Sequence, residues 1–258
     1  TDTQFTADDG TEIDFEARLV TDAARGWDDG CVTTPFSTAF SATPIAVATK
    51  TTRREVDGGW LRQCSLTSSG IGLTLDEDED QDFERNHTLE DAGLMAFSEA
   101  FTYDSESTPA PDQAFMLEAD SVELAPGTTT SVSFDQTYPQ APAVFVLGDD
   151  GNPEPSAVRV TNVTASGFDA FAPEPPTGFA GEADSPTTAH YLVVTYGEHQ
   201  FPDGTRVEVG QTQLSNTVGR FAGFESWSSI SFETGFSGTP ALLSTLQTTN
   251  NEPSAPAG

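Results

Sequence analysis

The densest run of chemically capable side chains is Asp76-Glu-Asp-Glu-Asp-Gln-Asp82. Hard cations such as Ca2+ bind several carboxylate oxygens at once, which makes Asp76, Asp78, Asp80 and Asp82 a candidate Ca2+ set. No other cofactor is expected. The run lacks the glycine and the terminal glutamate of a helix–loop–helix calcium loop, and a solvated acidic loop is the competing reading. His87, His190 and His199 are far apart in sequence. A zinc or catalytic role needs partners at ligand spacing, and none is visible. His87 lies near Asp82, Glu84 and Glu90, which suits an ion pair or a loop hydrogen bond. Cys31 and Cys64 are the only two cysteines. Without CxxC spacing or a histidine close by in sequence, they read as one disulfide, with two buried thiols as the alternative. Asn86-His-Thr88 and Asn162-Val-Thr164 have the form of N-glycosylation sites, a form that also arises by chance in threonine-rich chains. Trp60 and Trp227 could stack on a sugar face or pack in a core.

These residues do not assemble into a reaction. There is no Gly-x-Ser-x-Gly elbow, no phosphate-cradling glycine loop and no protease-type Cys–His pair. Carboxylate pairs of the glycosidase kind carry no information in a chain with 41 acidic residues. The expectation is a protein that is not an enzyme. Ten basic residues leave a formal net charge of −31 over 258 residues, a surface that repels nucleic acid and anionic lipid and stays soluble in strong salt. No apolar run approaches the roughly 20 residues of a membrane-spanning helix, and Thr1 opens no visible signal peptide.

The elements that position these side chains follow from a repeat. Phe36-Ser-Thr-Ala-Phe40-Ser-Ala-Thr-Pro44 returns as Phe134-Asp-Gln-Thr-Tyr138-Pro-Gln-Ala-Pro142 and again as Phe232-Glu-Thr-Gly-Phe236-Ser-Gly-Thr-Pro240, each 98 residues after the last. An aromatic, a second aromatic four residues on and a proline four beyond precede an apolar run each time. That spacing predicts a tandem array with a unit of about a hundred residues. Alternating stretches such as Ile13–Leu19, Trp60–Leu66 and Ile71–Leu75 read as strands, and Asp57-Gly58, Ser69-Gly70 and Pro126-Gly127 as turns. Residues 1–12 read as a loose lead-in. The expected division is a first sandwich over 1–103, a linker over 104–116, a second sandwich over 117–200, and a partial third copy with a tail over 201–258. The hairpin glycines Gly70 and Gly167 have no third counterpart, nor has the closing strand that each of the first two copies carries.

The stretch Trp227-Ser-Ser-Ile-Ser-Phe-Glu-Thr-Gly-Phe-Ser-Gly-Thr-Pro-Ala-Leu-Leu, with Val158–Phe168 and Ala189–Val194 in the second copy, resembles the H-type lectin domain. The resemblance implies an all-β fold of six-stranded antiparallel sandwiches. It also implies a family that trimerises and binds N-acetylgalactosamine-type sugars between protomers. Similar modules stand in tandem in large secreted bacterial or archaeal surface proteins. The departure lies after the hairpin glycine, where Thr74-Leu-Asp-Glu-Asp and Ala170-Phe-Ala-Pro-Glu-Pro-Pro carry no tryptophan, so no sugar-binding residue transfers.

The expected function is therefore an extracellular or cell-surface structural and adhesive repeat protein. Its copies set reach and stiffness, and its partial third copy either assembles into a fibre by strand addition or is a cut-down piece of a longer array. Its partners are other copies of itself or neighbouring repeats. The alternative is a carbohydrate-binding module of a larger extracellular protein, with glycans as partners.

Overall fold

The computed structural model describes residues 3–55, 58–77, 84–105, 114–153, 155–172, 185–214, 228–233 and 235–248. Among them every regular element is a strand except a single 3-10 turn at Trp27–Asp29. The first sandwich has one sheet in the order β1 (Thr3–Thr6), β2 (Glu12–Ala24), β7 (Glu90–Phe97), β4 (Ile45–Lys50). It faces a second sheet of β3 (Val32–Pro35), β6 (Gly70–Glu77) and β5 (Gly59–Thr67). The second sandwich has β11 (Ala143–Gly148), β14 (Thr187–Val194), β9 (Met116–Leu124) and β8 (Phe101–Asp104), facing β10 (Thr130–Ser133), β13 (Gly167–Phe171) and β12 (Arg159–Thr164). A last hairpin pairs β15 (Gly197–Gln200) with β16 (Arg206–Val209). The ladders between these strands are all antiparallel, and two isolated bridges, Gly26–Leu75 and Gln63–Asp149, are parallel.

Among the described residues each sandwich thus has seven strands where six were expected. The extra strand opens each one. Thr3–Thr6 is not a loose lead-in but pairs with β2 and buries Phe5. Phe101–Asp104 pairs with β9, so the strand that opens the second sandwich starts before the expected boundary at 103. Runs of four residues are too short for a visible alternation.

Apolar alternation fills each interior. Ala46, Ala48, Leu61, Ile71, Leu73, Leu75 and Leu94 meet in the first sandwich; Leu124, Val144, Val160, Phe168, Ala170 and Val193 meet in the second. Cys31 and Cys64 are bonded, tying the entry of β3 to β5 across β6. Gly72 of β6 lies beneath the bond, where a Cβ would collide with Cys31 Sγ and Ser65 Oγ. In the chain-entropy account, closing a separation of 33 residues stabilises the fold by about 3–4 kcal/mol.

A third core joins the units. The four-stranded sheets are apolar on both faces. On β4, Ala46 and Ala48 point into the first sandwich while Val47 and Ile45 point out. Leu117, Leu192 and Val194 point out of the second sandwich toward them. Phe201 and Val209, from the last hairpin, close the same core. At its centre Phe5 packs on Tyr103 at 5.0 Å and on Phe201 at 5.2 Å between ring centroids. These three residues are 98 apart in sequence. The units therefore do not stand end to end. Strands buried on both faces read as near-continuous apolar runs, and Ala143-Val-Phe-Val-Leu147 is such a run.

Candidate interaction surface

The recurring aromatic bend has a fixed geometry. Phe36 and Phe40 meet edge-on at 5.0 Å and 78°, Phe134 and Tyr138 at 5.1 Å and 73°, Phe232 and Phe236 at 5.0 Å and 80°. A spacing of four residues brings the second ring back onto the first, and edge-to-face contact is the favoured arrangement of two aromatic quadrupoles.

A hairpin covers each of the first two bends. The Phe36 and Phe40 amides donate to the carbonyls of Ser69 and Ser68 at 3.0 and 2.8 Å. The Phe134 and Tyr138 amides donate to Ser166 and Ala165 at 3.0 and 2.9 Å. Both turns are built alike. Thr67 and Thr164 each accept from the amide two residues on and donate to the carbonyl of the following glycine, Gly70 or Gly167. A side chain at Gly70 would lie 2.7 Å from the Thr34 carbonyl, and one at Gly167 would collide with the Val132 carbonyl. Phe36 and Phe134 are consequently 7% and 9% exposed.

A carboxylate holds the other side of the bend. Glu16 accepts from the Ser37 amide at 2.7 Å, Glu118 from the Asp135 amide at 3.0 Å and Glu208 from the Glu233 amide at 2.8 Å. Each glutamate comes from the second strand of an opening hairpin, β2, β9 or β16, and each amide follows the first aromatic of the bend. In the third segment Arg206 also lies 5.7 Å over the Phe236 ring and donates to the Gly235 carbonyl. That bend is thus formed and braced, yet Phe232 is 43% exposed and Ile230 67% exposed. Leu242 and Leu246, in the apolar run that follows, are exposed as well. The run is held from below: the Thr49 hydroxyl donates to the Leu242 carbonyl and accepts from the Ser244 amide, and Gln247 accepts from the Val144 amide at 2.9 Å.

The predicted site residues fall elsewhere. Asp76 faces inward and is the shared counter-ion of two arginines. Its Oδ2 meets Arg62 Nη1 at 2.7 Å and its Oδ1 meets Arg85 Nη2 at 2.6 Å. Both guanidiniums stack on Trp27, at 4.9 and 4.2 Å from the ring centroid. Their remaining donors cross to the second sandwich. Arg62 donates to the Asp149 and Asn152 carbonyls and Arg85 to the Pro153 carbonyl. Asp78, Asp80, Asp82 and Trp227 lie outside the described residues. Among the described residues no group of three or more metal-ligating side chains is spaced to hold an ion. Asn86 is exposed. Asn162 is also exposed, sits at a β-bulge with φ of 51° and donates to Asp169 at 2.8 Å. Trp60 is half-buried on β5.

The histidines do separate jobs. His87 is buried behind a shallow depression lined by Asp29, Glu55 and Glu84, with Nδ1 2.9 Å from the Thr88 carbonyl. His190 Nδ1 accepts from the Ala46 amide at 3.0 Å, which satisfies the outer edge of β4, and burial depresses its pKa and keeps it neutral for that task. His199 stacks on Phe115 at 4.5 Å, and burial lowers its pKa too.

Comparison with protein-family models, with curated proteins and with solved structures finds no match for the chain. What stands is the class: an all-β, sandwich-like protein of antiparallel sheets, stapled by a disulfide. No helix among the described residues is long and apolar enough to cross a membrane. Trp27, the three bracing glutamates and the central aromatics were missed in the sequence. The signal for the last was present, since Phe5, Tyr103 and Phe201 keep the 98-residue spacing of the bend.

Proposed function

We propose that the chain is an extracellular or cell-surface structural and adhesive protein that assembles through its third copy. It is built of H-type lectin-like sandwich units with a period of about 98 residues, two of them full and a third represented within residues 201–258. The repeat reading is supported by the three matching aromatic pairs, the three matching glutamate braces and the three central aromatics at one spacing. The extracellular reading is supported by the disulfide and by a charge that suits saline surroundings.

One observation carries the assembly. The third bend has the same internal geometry as the first two, but Ile230 and Phe232 remain exposed where Thr34, Phe36 and Phe134 are buried. An exposed apolar segment that belongs to no sheet invites pairing with another chain. Polypeptide from a neighbouring chain covers this face by adding strands, and successive additions give a fibre. Electron microscopy of concentrated protein in molar salt tests this. Filaments are expected, and a field of single, separate particles counts against the proposal.

A further inference from the structure

We infer that the face of the third copy is a receptor for one kind of element: a β-hairpin with a Thr-x-Ser-Gly-apolar turn. This rests on the reading of residues 228–248 as part of a third copy, and it names the occupant. Two occupied examples within the chain set the terms. Thr67-Ser-Ser-Gly70-Ile71 covers the first bend and Thr164-Ala-Ser-Gly167-Phe168 covers the second. Each presents two carbonyls to the two aromatic amides. Each carries an apolar side chain after the glycine, buried in the same core as the bend. Each strand leaving the glycine pairs with the strand entering the bend, Gly70 opposite Pro35 and Gly167 opposite Ser133.

Those requirements transfer by position. Ile230 stands where Val132 and Thr34 stand, so its carbonyl faces the occupant's turn glycine. A Cβ at that point meets the carbonyl in both occupied copies, hence the occupant needs glycine there. The Phe232 and Phe236 amides take the place of Phe36 and Phe40. The receptor is continuous with an established interface: Leu243, on the same run as Leu242 and Leu246, packs into the core shared by the two sandwiches. The bound hairpin extends that packing outward. The acidic surface disfavours a strongly acidic hairpin, so the occupant is apolar and hydroxyl-rich, as β12–β13 is.

The test uses the full chain and a synthetic peptide of residues 156–172, with a second peptide carrying Gly167→Ala. Hydrogen exchange is followed at the Phe232 and Phe236 amides while peptide is titrated to millimolar concentration. The first peptide is expected to protect both amides at one equivalent bound, and the second to bind roughly tenfold or more weaker because its methyl overpacks the turn. Absence of protection overturns the inference, as does equal protection by both peptides, which marks an unselective apolar patch. If the chain forms filaments and the peptide still fails to protect, assembly stands and the hairpin receptor does not. If the peptide protects and no filaments form, the receptor stands without self-assembly.

Discussion

Arg62 Nη1 and Asp76 Oδ2 lie 2.7 Å apart, with 2% and 0% of their side chains exposed. The same arginine reaches the carbonyls of the 149–153 loop, so one buried carboxylate fixes the charge that pins the second sandwich to the first. A buried ion pair adds little over an apolar replacement, but removing one partner strands the other. Asp76→Asn keeps the shape and removes the carboxylate that the two guanidiniums share. The expected loss is about 3–5 kcal/mol in a urea melt. It is accompanied by faster amide exchange at Asp150, which donates to the Gln63 carbonyl across the same junction. A loss below about 1 kcal/mol contradicts the assignment.

Glu118 gives a pH signature. Burial raises its pKa from 4.5 to about 7 in the folded chain. Between those values the unfolded chain ionises and the folded chain does not. The group's contribution to stability therefore falls as pH rises from about 4.5 to 7 and is level above that. Glu118→Gln keeps one acceptor, for the Asp135 amide, and turns an NH2 donor toward the Tyr191 hydroxyl oxygen, which can accept from it. It is expected to remove this slope, and at pH 8 to leave the variant more stable than the natural chain by on the order of 2–3 kcal/mol. Denaturant melts at pH 5 and pH 8 measure it. Identical pH dependence in both proteins refutes the raised carboxyl.

Gly93 tests the seating of the third segment. On β7 it faces the shared core, and a Cβ there would collide with the Leu242 carbonyl. Gly93→Ala should lift residues 241–248 and raise the exchange rate of the Ser244 amide at least tenfold. The segment sits on the outside of the sheet, so the two sandwich interiors should lose no more than about 1 kcal/mol. Unchanged exchange at Ser244 would show that the run does not rest on β7.

The bend, the sandwich class and the disulfide were legible in the sequence because each rests on local spacing: aromatics four apart, alternation at period two, and an isolated pair of cysteines. The arrangement of the units was not. It depends on the outward faces of β4, β7, β11 and β14, and one side of an apolar run cannot be told from the other until the partner sheet is known. Asp76 was read with its acidic neighbours as a cation ligand candidate. Its actual partners, Arg62 and Arg85, are 14 and 9 residues away along the chain. A charge run hides a buried member when the pairing cations are distant in sequence. The bracing glutamates were hidden for the same reason: Glu118 meets an amide 17 residues on, and nothing in a chain so rich in carboxylates singles it out.

We propose that the exposed bend at Phe232 is an assembly surface. Sedimentation equilibrium of the full chain measures it directly, from micromolar to millimolar protein in molar salt that screens the negative surface. The natural chain should rise above the 27.3 kDa of a single chain with concentration, and Phe232→Asp should stay at that mass throughout. A natural chain that remains at 27.3 kDa over the whole range contradicts the account.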